Sequence, residues 1–483
     1  MPVAERINAG VRESGEDNGP HSTFISVALV SGQSQQSQLR FPPSLFALHS
    51  DNRIHPFASW NDGLGSNSPA FGMANYLADK NRMYRMTANG ARFPAGSRGD
   101  PSVGKGPMKA TRVKTMTHKE RVLNALKRQP VDLLACGDGL WGETHQKYLS
   151  QGKLKEGEDP TVHFDMSWRS GGWLNGMADL DFTEQLIEET PDTILKLNGN
   201  GAQLRWWKNK AGTPEHVAFA VTERPQWEAQ IKPHLLQVDR RRIPFEQYRQ
   251  QKQLAAQENR AFCWAGVAPF EQMHPVCGHE NMLMGMALDP DWVTDMVLTF
   301  ADFTLKHLDV LFAEEGLPDF FWFYEDMGFK DKPFMSPAMY EDLVAPGHKR
   351  LFDYAHAKGL PVMVHSCGFV EPLVPGLIRA GMDCLQAMEV KAGMDLPRLA
   401  RQFGDQIAFC GNIDIRIIAT NDRAQIDAEM NRKILPVLKQ GGGYILHSDH
   451  SIPPDVEHDT LEYFFQHGRR ITERMAGRPV TVH

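Results

Sequence analysis

Cysteine is scarce in this chain: six in 483 residues. Cys136, Cys263, Cys277, Cys367, Cys384 and Cys410 lack the spacing of a secreted framework. That excludes a disulfide-stapled scaffold and leaves reduced thiols in a cytoplasmic protein. Apolar runs of membrane-spanning length are missing, so no membrane partner is expected. The opening MPVAERINAG does not have the basic-then-apolar layout of a signal peptide, and the apolar stretch 24–30 is too brief to supply one. Positive charge is not in excess either. Lys and Arg number 52 against 59 Asp and Glu, a net charge of −7, and without a basic footprint nucleic acid is not expected as the main partner. No internal repeat of solenoid period is present. What the chain does have is apolar material, 41% of its residues, ample for a large core. Its length suggests about three domains by rule of thumb, a yardstick that single barrel domains routinely exceed.

Two parts differ in texture. Residues 1–107 are rich in Ser, Gly, Asn, Gln and Pro, in stretches such as SGQSQQSQ and NDGLGSNSPA. Their apolar residues keep no period of 2 or 3.6. Such a segment buries too little surface to offset the entropy of ordering it, so a disordered extension is expected there. Met108 and Met116 each stand where a shorter start would fall. From Met116 onward the pattern is that of a folded domain, expected over 116–480. Thr117-His118-Lys119-Glu120 offers an N-cap with Glu three residues on, a capping box, and the helix RVLNALKR ends before Pro130.

Strand-like and helical runs then alternate. DLLACGDG reads as a first strand and FCWAGVAP (262–269) as another. Five more follow: FFWFYEDMG (320–328), PVMVHSCG (361–368), CLQAMEV (384–390), IAFCGNID (407–414) and GYILHSDHS (443–451). Helical segments separate them, several closed by glycine as a helix C-cap should be. Strand, helix, strand at these intervals predicts βα units around a parallel sheet. The α/β fold expected is a (β/α)8 TIM barrel rather than an open doubly wound sheet, because all five runs end in polar residues, as barrel strands do at a catalytic face.

Those strand ends collect chemistry-bearing side chains: Glu325 and Asp326; His365 and Cys367; Glu389; Asn412 and Asp414; His447, Asp449 and His450. In His365-Ser366-Cys367-Gly368 the imidazole and the thiol are two residues apart on a strand and project to one face. Zinc accepts both, and a catalytic zinc site commonly has three protein ligands and one open position. The alternative is a buried cysteine beside a capping histidine. His450 is the expected third ligand, with Asp449, His447 and Glu325 behind it. Glu325 and Asp326 are the expected proton-handling pair, against a solvated loop pair or a helix-start charge. Glu389 orients a ligand or binds substrate, unless Lys391 simply pairs with it. Asn412 and Asp414 are either substrate contacts or ordinary turn residues. Trp141, Glu143 and His145 line the pocket or begin a helix. Cys136, Cys263, Cys384 and Cys410 read as core, and Cys277-Gly278-His279 as a weak metal pair. Trp206-Trp207 reads as packed surface or pocket wall.

The motifs together resemble the uroporphyrinogen-decarboxylase superfamily. MTHKERVLNALKRQPVD resembles its opening; YEDMGFKDKPFMSPAMYEDLVAPGHKRLFDYAHAKG, VMVHSCG, AMEVKAGMDL, FCGNIDIR and GGGYILHSDHSIPPDV continue the likeness in order over about 116–480. The resemblance implies a TIM barrel. True decarboxylases carry an arginine-rich N-terminal loop of the form FMRQAGR and need no metal; here LWGETHQKYLSQG follows DLLACGDG instead. The methylcobamide:thiol methyltransferases of the superfamily carry His-x-Cys and a distant Cys as zinc ligands. His365 and Cys367 match the first two positions. The third falls in SDHSIPPD, where Cys is absent and His450 is the natural substitute. The resemblance therefore implies a zinc-dependent methyltransferase that moves a methyl group between a small methylated compound (methoxyl, thiol or amine) and a corrinoid (cobalamin) carried by a partner protein. Self-association into a homodimer stays open. The rival readings are a metal-free uroporphyrinogen decarboxylase and a non-catalytic small-molecule-binding barrel.

Overall fold

The computed structural model describes residues 115–209 and 213–475. The expected extension at 1–107 and the start at Met108 lie outside the described residues. The strands in chain order are β1 (Trp168–Gly171), β2 (Gln185–Glu189), β3 (Thr193–Leu197), β4 (Ala202–Trp207), β5 (Glu215–Phe219), β6 (Ala261–Val267), β7 (Phe320–Tyr324), β8 (Val362–Ser366), β9 (Cys384–Ala387), β10 (Ala408–Gly411) and β11 (Tyr444–Ile445). β1 and β6–β11 form one parallel sheet in the order β1-β6-β7-β8-β9-β10-β11, and β2–β5 form a separate antiparallel sheet. The expected capping box is met: Thr117 Oγ1 accepts from Glu120 N–H at 3.1 Å, and Thr117 N–H donates to Glu120 Oε2 at 2.7 Å. It opens the helix His118–Leu126.

The full eight-stranded barrel expected from the sequence is present as a curled parallel sheet of seven strands. DLLACGDG, expected as a strand, contributes a single bridge between the two sheet edges. Leu446 N–H donates to Ala135 O, Gly137 N–H to Leu446 O, and Ser167 N–H to Cys136 O. The segment passes so close to β1 that a side chain at Gly137 would meet the Trp168 indole at 2.4 Å. Glycine permits this approach, and Gly-Asp-Gly weakens the segment as a regular strand. β1 itself, only four residues and carrying Arg169, gave no apolar run to read, and the antiparallel sheet was also missed.

Alternation along the strands sorts the core into two sets. Ala261, Cys263, Ala265, Phe320, Trp322, Met363, Cys384, Ala408, Cys410 and Ile445 form one buried cluster with Val122, Ala125 and Leu126 of the first helix. Their neighbours Phe262, Trp264, Phe321, Phe323, Val362, Val364, Leu385 and Phe409 belong to the other, larger cluster with the surrounding helices. The first set fills the inside of the curled sheet. Cys136, Cys263, Cys384 and Cys410 are buried within these two clusters, as core residues should be.

Candidate functional site

The inner set, continued two residues at a time past the C-terminal ends of the strands, leads to the site. Phe320 and Trp322 are followed by Tyr324 and Asp326; Met363 by His365 and Cys367; Cys384 by Gln386; Ile445 by His447 and Asp449. Trp322, Tyr324, His365, Cys367, Gln386, His447 and Asp449 line one pocket of about 410 Å³. Parallel register sets Tyr324 beside His365 and His365 beside Gln386.

His365, Cys367 and Asp326 each offer one donor atom within 4.8 Å of the other two. His365 Nε2 lies 3.3 Å from Cys367 Sγ and 3.4 Å from Asp326 Oδ1. Tetrahedral zinc with ordinary bond lengths separates such ligand atoms by roughly 3.4–3.6 Å, so the spacing fits. The other ring nitrogen, Nδ1, faces Gln386 Oε1 at hydrogen-bond distance. A carbonyl oxygen only accepts, so Nδ1 carries a proton, and a metal bound at the cluster would take the lone pair of Nε2. Burial pushes the His365 pKa down, but Asp326 and Cys367 outweigh it and hold the ring well above its ordinary value. Burial likewise raises the Asp326 carboxyl, yet His365 and the Cys367 N–H leave it below the usual range. Nitrogen, sulfur and oxygen donors together suit a borderline cation such as zinc.

Several expected site residues are placed otherwise. Glu325 faces away from the pocket, because neighbouring residues on an extended chain point to opposite sides. Its fully buried carboxylate accepts from Phe270 N–H at 2.8 Å and Glu271 N–H at 2.9 Å, and pairs with His348. It thus anchors the first turn of the helix Pro269–Leu288. His450 lines the pocket but is not part of the three-residue group. The neighbouring Asp449 accepts from Val390 and Ile415 N–H at 2.8 Å each. The His450 ring instead lies 6.0 Å from Trp141. Asp326 stands where the third ligand was expected.

The expected substrate contacts are largely structural. Glu389 accepts from Gly368 N–H at 2.8 Å and pairs with Lys391, fixing the turn after Cys367. Asn412 is wholly buried, accepting from Leu396 N–H and donating to the Met388 and Met394 carbonyls. Asp414 caps the short helix Ile415–Ile418 and pairs with Arg416. Trp141 is the N-cap of the helix Gly142–Ser150, and Glu143 and His145 lie on that helix outside the pocket lining. Turn and capping chemistry accounts for Glu389, Asn412 and Asp414.

Sequence reasoning missed Gln386, whose signal was its position one strand over from His365, and Asp138. The Asp138 side chain is fully buried, accepts from Gly139 and Ser448 N–H, and lies 3.5 Å from His447 Nδ1. Burial raises its pKa against those partners. Its signal was a carboxylate between two glycines at the end of DLLACGDG. Trp168, Trp322 and Tyr324 supply an aromatic wall.

His365 and Cys367 thus line a pocket at the C-terminal ends of a curled parallel sheet, with Asp326 within 4.8 Å of both. The family model of uroporphyrinogen decarboxylase (URO-D) matches residues 254–471. That segment contains all five of the later motifs, while MTHKERVLNALKRQPVD precedes it. The likeness to the uroporphyrinogen-decarboxylase superfamily, a superfamily of enzymes, is thus shown. A uroporphyrinogen decarboxylase of Prochlorococcus marinus (strain MIT 9515) is 24% identical over 143 residues, 29% of this chain and 38% of that protein. The match therefore spans well under half of the relative's length. Among solved structures, a methyltransferase from Methanosarcina mazei aligns at 14% identity with a TM-score of 0.49, covering 73% of this chain and 98% of that one. A xylose isomerase-like TIM barrel/4-hydroxyphenylpyruvate dioxygenase fusion protein aligns at 14% identity with a TM-score of 0.27, covering 48% and 38%. Among the described residues no helix is long and apolar enough to cross a membrane.

Proposed function

We propose that the chain is a zinc-dependent methyltransferase of a (β/α)8-barrel type, moving a methyl group between a small methylated compound and a corrinoid carried by a partner protein. The observation that carries this reading is the convergence of His365 Nε2, Cys367 Sγ and Asp326 in one pocket mouth, at spacings that fit a metal centre. Zinc held there would act as a Lewis acid on the oxygen, sulfur or nitrogen that bears the methyl group and make it a better leaving group. Gln386 fixes the His365 tautomer, and the Cys367 N–H and Gly368 N–H bonds to Asp326 and Glu389 fix the turn that presents the thiol. Trp168, Trp322 and Tyr324 give an aromatic wall suited to a small substrate, such as a methoxyl compound. Asp138, fully buried and 3.5 Å from His447 Nδ1, would position the His447 ring at the pocket wall.

The decarboxylase reading is favoured by the family match but not by the pocket's charge. Uroporphyrinogen carries many carboxylates and calls for free cations. The arginine lining this pocket, Arg169, is already held by Asp159 and Glu258, with a side chain only 4% exposed. The test adds candidate methylated donors to the protein with reduced cobalamin or a corrinoid protein and follows loss of cob(I)alamin absorbance. A parallel assay offers uroporphyrinogen. Decarboxylation by metal-free protein would establish the second reading instead.

A further inference from the structure

A cluster of three histidines lies outside the pocket. His216 is on β5, and His274 and His279 are on the helix Pro269–Leu288. Each offers one ring nitrogen within 4.8 Å of the others. None of them lines the pocket of His365 and Cys367. In an unbroken helix, residues five apart point about 140° away from each other, so His274 and His279 would not meet. Gly278 breaks the helix with φ 75 and ψ 158, and a side chain there would meet the Phe219 ring at 2.5 Å. The kink leaves the His274 and His279 rings stacked 4.2 Å apart, with His216 5.6 and 5.7 Å from them.

The two nitrogens of His274 are unequal. Nε2 lies 2.9 Å from Glu271 Oε1, and a carboxylate only accepts, so Nε2 carries the proton. Nδ1 then presents a lone pair, and it is buried with no hydrogen-bond partner. Buried polar atoms left unsatisfied are rare and costly. A carboxylate on the far nitrogen is also the arrangement that orients metal-ligating histidines. Glu271 is in turn set by its own N–H bond to Glu325.

We infer that His216, His274 and His279 form a second metal site, for a divalent cation of the zinc, nickel or copper type, with a further position open to water. Imidazole nitrogens suit these ions, and three of them leave a tetrahedral cation one free place. The cation would tie β5 of the antiparallel sheet to the kinked helix. The site shares no ligand with the first centre, so it stands or falls independently of the proposed methyl transfer.

The experiment uses the full chain carrying Cys367→Ser, stripped with a chelator and loaded with Co²⁺. It should bind about one equivalent, with visible d–d bands, no thiolate-to-cobalt charge-transfer band, and a raised Tm. Adding His274→Gln or His279→Gln should remove that equivalent, and Glu271→Gln should weaken binding roughly 10- to 100-fold. If a helix variant fails to fold, His216→Asn on β5 gives the same readout. Three results would overturn the inference: no cobalt bound by the Cys367→Ser chain, binding indifferent to the three histidines, or binding lost instead on His163→Gln, in the separate group of His163, His458 and Glu462.

Discussion

Replacing Glu325 separates a structural carboxylate from a catalytic one. Its side chain and that of His348 are both 0% exposed. The carboxylate holds the first two N–H groups of the helix Pro269–Leu288 and one nitrogen of His348, whose other nitrogen meets Tyr340 Oη at 2.9 Å. Glu325→Ala strands all three partners away from water. Each bond to a charged group is worth about 1.5–3 kcal/mol, but a broken buried pair typically shows about 3–5 kcal/mol in all. An unfolding entropy of about 2.1 cal/mol/K per residue over roughly 360 folded residues gives about 0.75 kcal/mol/K. The expected fall in Tm is therefore about 4–7 °C. Glu325→Gln keeps one accepting oxygen and should lose about half as much. Calorimetry measures the shift, and zinc content and methyl transfer are read on the same samples below the transition. Both should stay near wild type in the folded variants. A Glu325→Gln protein with an unchanged Tm but no turnover would refute this assignment and return Glu325 to the reacting centre.

Elemental analysis of a Cys367→Ser chain should show about one zinc equivalent fewer than wild type; equal content in both would remove the metal centre. Asp326→Ala should lower zinc occupancy of the same centre while His450→Ala keeps it, and the opposite pair of results would make His450 the third ligand. Gln386→Leu frees the His365 tautomer and should weaken zinc binding roughly 10- to 100-fold without lowering Tm, as competition with a chromophoric chelator would read. Burial pushes the Asp165 carboxyl up, but His118 and Arg469 hold it below its ordinary 3.8. A depressed folded pKa contributes stability above 3.8 that is lost as pH falls towards the lowered value. Asp165→Asn should therefore cost about 1 kcal/mol at neutral pH, and urea melts should show the gap to wild type narrowing in acid; a gap that widens there contradicts the ion-pair origin.

The sequence by itself determined a good deal. Short continuous apolar runs such as FFWFY and VMV read as strands buried on both faces, and their spacing by helices points to a parallel sheet. The i, i+2 spacing of His365 and Cys367 sends both to one face wherever the strand lies. The Thr117–Glu120 capping box is local chemistry and needed no tertiary partner. Other features were decided only by the tertiary structure. Which of Glu325 and Asp326 faces the pocket depends on the parity of β7 against the inner core, and that parity is set by which side Phe320 and Trp322 pack. His450 is three residues beyond His447, and its neighbour Asp449 is tied to the first N–H groups of two short helices distant in sequence. Gln386 meets His365 only through the register of β8 and β9. Asn412, Glu389 and Asp414 looked like site residues because strand ends carry turns as well as chemistry, and one chain alone does not separate the two. The convergence of His216 with His274 and His279 was likewise beyond sequence periodicity. It needs a helix broken at Gly278 and an antiparallel strand laid across it, contacts between parts of the chain about 60 residues apart.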